Sequence, residues 1–168
     1  MHAYCVVAHP DDCVIFARPY IDNHPEYSWS IVYLTYHHLD DRAQEMTRYW
    51  IKRGVGVQFL GFIDDYTDQQ TQQFNFWDPM AAEGVLQQAV EGAALILTHN
   101  ADGDYGHIHH KLVHGALCQM DVPKVYFAST FNYNTRYIAK GDLPLDEFPL
   151  HRDVIVQFSD INCGLYIE

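Results

Sequence analysis

The sequence predicts a single α/β domain with a mostly parallel, Rossmann-like sheet flanked by helices. Three observations predict it. Short apolar runs of strand length alternate with segments of helical periodicity. Those runs are nearly continuous in apolar character, as strands covered on both faces must be. At 168 residues the chain is long enough for a substantial core and short for two domains.

The strands are expected at "AYCVVAH" (3–9), "WSIVYLTY" (29–36), "VQFLGF" (57–62), "ALILTH" (94–99) and "KVYFAS" (124–129), with "DVIVQF" (153–158) a weaker sixth. After the first strand, Pro10 suits the first turn of a helix beginning near Asp11, where its missing N–H is no loss. A helix over 40–54 has Asp40 or Asp41 to cap its start and Gly54 to end it. Its inward stripe is Ala43, Met46 and Trp50, with Thr47 on the same face. Further helices are expected over 81–91 and over 108–120, the latter with Leu112, Val113, Ala116, Leu117 and Met120 inward. The polar stretch 64–79 and the segment 129–149 read as irregular, and there are no internal repeats or linkers.

Hydrophobic residues make up 48% and charged residues 19%, a globular rather than a disordered composition. The net charge of -12 argues against nucleic acid or an anionic membrane as the main partner. Cys5, Cys13, Cys118 and Cys163 lie far apart without a C-x-x-C pair, which favours reduced thiols over a disulfide framework. With no basic leader and no apolar run of membrane-spanning length, a cytoplasmic protein is expected.

The chemistry gathers at strand ends. No glycine-rich fingerprint follows the first strand; "HPDDC" stands there instead. In open α/β sheets, ligands sit beyond the carboxyl ends of the strands. His9, Asp11 and Asp12 end the first strand, Thr35, His37 and His38 the second, and His99 a later one, with His107 and His110 close behind. With a helix from about Ile108, His107, His110 and His114 share a face at i, i+3 and i+7. Two nitrogens and one oxygen from His9, His110 and Asp12 make a three-ligand site with an open position, the pattern of catalytic zinc. A cation there lowers the pKa of water toward ~7, leaving Asp11 as general base and His107 to stabilise an oxyanion or act as acid. The plainer reading is a helix start carrying two acids, with the later histidines on a solvated face. Two such clusters converging on one rim favour the metal.

"AHPDD" and "THNADGDYGHIHH", about a hundred residues apart, resemble the LmbE-like, or PIG-L, zinc-dependent N-acetylglucosaminyl deacetylases. Between them, "LTYHHLDDRAQEMTRYWIKRGVGVQFLGFIDD" is similar to the family's strand, its R-x-x-E helix and its LGF-x-D strand end, so the resemblance covers residues 3 to 117. It implies a Rossmann-like hydrolase of N-acyl groups, typically acetyl on an amino sugar, over one domain, 1–168. It implies His9, Asp12 and His110 as ligands to Zn2+ or Fe2+, Asp11 as general base, His107 as the histidine assisting the tetrahedral intermediate, and Tyr105 near the acyl group. Arg42 and Asp64 fall where relatives contact substrate hydroxyls, although Arg42 could instead pair with Glu45 or Asp41.

The departures from the family pattern are specific. Cys13 replaces a usual glutamate and reads as a small buried hydrophobe rather than a fourth ligand. His109 replaces the aspartate of H-P-D-H, so His107 loses a negative neighbour and is expected to titrate lower than in relatives. His37 and His38 replace a glycine-rich turn and are assigned to the loop. Phe74, Phe76, Trp77, Phe131, Tyr133 and Tyr137, flanked by Asn and Gln, suit a sugar's apolar face, or else pack the core. The expected partner is a small-molecule or glycan substrate, and a homo-oligomer is possible. The competing readings are a ferrous oxygenase, an amidase on another N-acyl metabolite or thiol conjugate, and a catalytically silent sugar-binding domain that kept its metal.

Overall fold

The protein is described from a computed structural model covering residues 1–64, 78–128, 136–137, 143–158 and 165–167. Five parallel strands appear where the apolar runs place them: β1 (His2–Val7), β2 (Ser28–Thr35), β3 (Gly56–Phe62), β4 (Leu95–Thr98) and β5 (Lys124–Phe127). Their spatial order is β3-β2-β1-β4-β5, the order of doubly wound sheets. Two short antiparallel strands, β6 (Arg136–Tyr137) and β7 (Leu165–Ile167), extend the sheet beyond β5.

Alternation along the strands divides the core between two faces. Cys5, Val7, Ile31, Tyr33, Leu97 and Phe127 point to one face. That face is covered by a π-helical turn (Cys13–Ala17), α1 (Arg18–Asn23) and α2 (Asp41–Ile51). Val6, Ala8, Val32, Leu34 and Ile96 point to the other, covered by α3 (Pro79–Ala89) and α4 (Ile108–Cys118). Both faces are buried, which is why the strands read as unbroken apolar runs.

Within α2, Ala43, Met46 and Trp50 are buried as the stripe predicts, and Glu45 and Tyr49 are buried beside them. Asp40 occupies the N-cap position, but its carboxylate turns back to accept from the His37 N–H at 2.7 Å instead of capping the helix. Gly54 ends the segment with φ 72°, a left-handed conformation that glycine adopts freely. α3 begins as its sequence suggests it should, with Asp78 accepting from the Met80 N–H and Pro79 in the first turn.

One expectation is corrected. Residues 153–158 form a helix, α5 (Arg152–Phe158), not a strand. Adjacent apolar side chains there are not both covered: Ile155 is fully buried while Val156 is 52% exposed. Docking of Ile155 beside the buried Phe148 therefore overrides the β-branched propensity of the run. Most of the expected irregular segments 64–79 and 129–149, including Phe74, Phe76, Trp77, Phe131 and Tyr133, lie outside the described residues, as does Cys163.

Candidate metal centre

The site is assembled at the carboxyl ends of the strands, around the switch point where β1 lies beside β4. Residue 8 is held from both sides. Thr35 of β2 donates through its backbone N–H (3.0 Å) and its hydroxyl (2.8 Å) to the Ala8 carbonyl, and the Ala8 N–H donates to His99 Nε2 at 3.0 Å. The chain then turns sharply, the His9 N–H donating to Asp12 Oδ2 at 2.8 Å. It continues into the π-helical turn, a local widening that often marks functional sites. The regular helix expected from Asp11 is replaced by this turn.

Three donor atoms meet there. His9 Nδ1 lies 3.2 Å from Asp12 Oδ2, His110 Nε2 lies 3.2 Å from the same oxygen, and the two nitrogens are 3.3 Å apart. A tetrahedral ion with bonds of about 2.0 Å separates neighbouring ligands by about 3.3 Å. The triangle therefore has the dimensions of three corners of a zinc or ferrous site. All three residues are buried. Burial opposes charge on His9, yet the Asp12 carboxylate outweighs it and lifts the imidazole to about 9. Three buried ionisable groups crowded this closely fit a cation, which would replace the protons that otherwise balance Asp12.

A second layer orients the first. Asp104 Oδ2 accepts from His110 Nδ1 at 2.9 Å and also from His99 Nδ1, which fixes the proton of His110 on the nitrogen facing away from the triangle. Asp104 is itself held in a left-handed conformation, φ 62°, with its N–H on Asn100 Oδ1 at 3.1 Å. The neighbouring Gly103 is required for space: a Cβ there would lie 2.6 Å from the His107 carbonyl oxygen.

The other expected residues lie around this centre. Asp11 is buried, and burial together with the adjacent Asp12 charge pushes its carboxyl up to about 6, against the pull of His9 and of Arg42, whose Nη2 is 3.5 Å away. His107 caps α4 and accepts from the His109 N–H through Nδ1 at 3.2 Å, so its proton sits on Nε2. Burial, then the neighbouring His110 and His9, hold His107 neutral, far below the usual histidine range. Its ring centroid lies 4.6 Å from that of His9, and the Tyr105 ring is 5.3 Å from that of His110. Arg42 pairs with neither Glu45 nor Asp41. It donates to the Tyr36 hydroxyl at 2.6 Å, and Tyr36 donates to Asp64 Oδ2 at 3.1 Å. Asp64 Oδ1 in turn lies 3.3 Å from His9 Nε2.

Some residues do not join. His114 turns from the cluster to the His99 carbonyl, 3.1 Å away, so the i+7 position is structural. His37 and His38 lie against one another in the loop after β2. Cys13 Sγ faces Tyr33 Oη (2.8 Å) and Trp50 Nε1 (3.0 Å), buried within the core as the hydrophobe reading expects. Sequence reasoning assigned no role to Asp104 or Tyr36. Asp104 sits inside the quoted "DGDYGHIHH", but no spacing rule shows that its carboxylate returns to His110.

A family model described as PIG-L, GlcNAc-PI de-N-acetylase, matches residues 4–120, most of the chain. The chain belongs to the PIG-L family. Among curated proteins, an uncharacterized protein of Acanthamoeba polyphaga mimivirus is 24% identical over 149 residues, covering 79% of this chain and 62% of its own length. The chain thus spans less than two thirds of that relative. Among solved structures, the zinc inhibited form of teicoplanin deacetylase is similar with a TM-score of 0.57 at 13% identity, over 98% of this chain and 84% of that one. N,N'-diacetylchitobiose deacetylase from Pyrococcus horikoshii gives 0.54 at 13%, over 94% and 70%. A 4-carboxy-2-hydroxymuconate hydratase from Pseudomonas putida gives 0.59 at 15%, over 95% and 83%. At these identities the likeness concerns the fold. It shows a PIG-L-type α/β sheet, which also carries a hydratase.

Proposed function

We propose that this PIG-L chain, read as one domain over 1–168, is a metal-dependent hydrolase removing an N-acyl group, acetyl above all, from an amino sugar or glycoconjugate. One observation carries the reading: the 3.2–3.3 Å triangle of His9, Asp12 and His110 donors with the Asp11 carboxyl beside it. Deacetylases of sugar-type compounds among the structural neighbours support the substrate class, a neighbour known in a zinc inhibited form supports metal binding by the fold, and the donor set suits zinc or ferrous iron. A reduced cytoplasmic setting agrees with free Cys5, Cys13 and Cys118.

A zinc or ferrous ion held by His9, Asp12 and His110 would polarise the substrate carbonyl and acidify water. Asp11, ionised above about 6, accepts the proton of the attacking water and passes it to the departing amine, so one carboxyl serves as base and then as acid. His107 is neutral with its proton on Nε2, so it hydrogen-bonds the developing oxyanion rather than transferring a proton to it. Tyr105 borders the acyl group. Arg42 and Asp64, tied through Tyr36, present a donor and an acceptor to sugar hydroxyls.

The test is acetate release from N-acetylated amino-sugar conjugates by zinc-loaded protein. Asp11→Asn should retain its metal and lose about 10²–10⁴-fold in kcat. Equal turnover by wild type and Asp11→Asn would remove the base from the mechanism.

A further inference from the structure

We propose that His9, His109 and Asp64 form a second transition-metal site, back to back with the first and sharing the His9 ring. The two faces of one imidazole make this possible. Nδ1 of His9 belongs to the triangle with Asp12 and His110. Its Nε2 lies 3.0 Å from His109 Nδ1 and 3.3 Å from Asp64 Oδ1, and those two atoms are 3.8 Å apart. Tetrahedral bonds of about 2.0–2.2 Å require ligand separations of about 3.3–3.6 Å, which these edges bracket.

The donor chemistry is specific. Two imidazoles and one carboxylate select zinc, copper or iron over magnesium or calcium. His109, where the family pattern has aspartate, supplies the nitrogen that makes the set soft enough. Its side chain is fully buried, while that of Asp64 is 31% exposed and provides a path for entry. When both sites are filled, His9 bridges them as an imidazolate, and the proton of Nε2 is released to solvent. A cation here engages Asp64, so it competes with a substrate hydroxyl for the same carboxylate, and zinc beyond the first equivalent inhibits. The inference rests on the first site only in that His9 is shared.

The experiment is equilibrium dialysis of the full chain against Zn2+, followed by metal content by mass spectrometry, with folding checked by circular dichroism. Two zinc ions per chain are expected in wild type, and one in His109→Ala and in Asp64→Asn. Asp64→Asn changes a partly exposed side chain and keeps the test decisive where loss of the buried His109 impairs folding. One zinc in wild type, unchanged in both variants, overturns the second site and leaves the first standing. One zinc lost in both variants but kept in Asp12→Asn places the ion at the second site and overturns the first. No zinc in wild type overturns both.

Discussion

Asp104 accepts a hydrogen bond from each of two histidines and thereby decides which nitrogen of His110 faces the pocket. Asp104→Asn removes the negative charge to which both histidines donate and sets an NH2 against the Asn100 N–H, so zinc affinity should fall about 10–100-fold, as read by competition with a chromogenic chelator. The acid limb of the rate belongs to Asp11. Its carboxyl, lifted to about 6, must be ionised to act as base, so activity is lost as pH falls through that value. A bound cation moves this limb only downward, so a pH–rate profile still falling well above pH 6 would point to another base. His9, Asp11 and Asp12 stand in one short motif at a strand end and His110 in a second motif a hundred residues on, so both motifs were visible in the sequence, and the fold brings His9, Asp12 and His110 together. Asp104, Tyr36 and the His9–His109 contact were not legible, because their partners arrive across the fold.

At the scale of elements, α2 does more than bury a stripe. Its Glu45 is 2% exposed and accepts from the Leu150 N–H at 2.9 Å and from His151 Nδ1, pinning the stretch before α5 to the helix. Glu45→Ala strands the buried His151 ring at about 1–3 kcal/mol and frees the more exposed Leu150 N–H, so a lower Tm and a lower urea midpoint are expected. An unchanged midpoint would make the contact incidental. The R-x-x-E pattern marked this helix in the sequence, but it did not show that arginine and glutamate part company. Arg42 turns to Tyr36 and Asp11 at the rim, and Glu45 to Leu150 and His151. The strand expected at 153–158 failed for a related reason: a short apolar run bears no sign of whether one layer or two will cover it, and here Ile155 is fully buried while Val156 is exposed.

For the whole molecule, the alternation of apolar runs and amphipathic helices sufficed for an open, mostly parallel sheet, whereas the β3-β2-β1-β4-β5 order is seen only in the structure. The antiparallel β6 and β7 were not legible, being two and three residues long. Metal and stability are linked at this scale. The folded His9 value of about 9 exceeds its unfolded value near 6.5, so in metal-free protein its contribution is full below about 6.5 and is lost as pH rises through about 9. Metal binding displaces that proton, so affinity rises over the same range. The Tm difference between zinc-loaded and stripped protein should therefore widen from pH 7 to pH 9. A constant difference would mean that His9 is not a ligand.

The most direct measurement is anomalous diffraction at the zinc edge from crystals grown with one equivalent of zinc. A peak is expected about 2.0 Å from each of His9 Nδ1, Asp12 Oδ2 and His110 Nε2. Zinc bound elsewhere, or no peak between these three atoms, would contradict it.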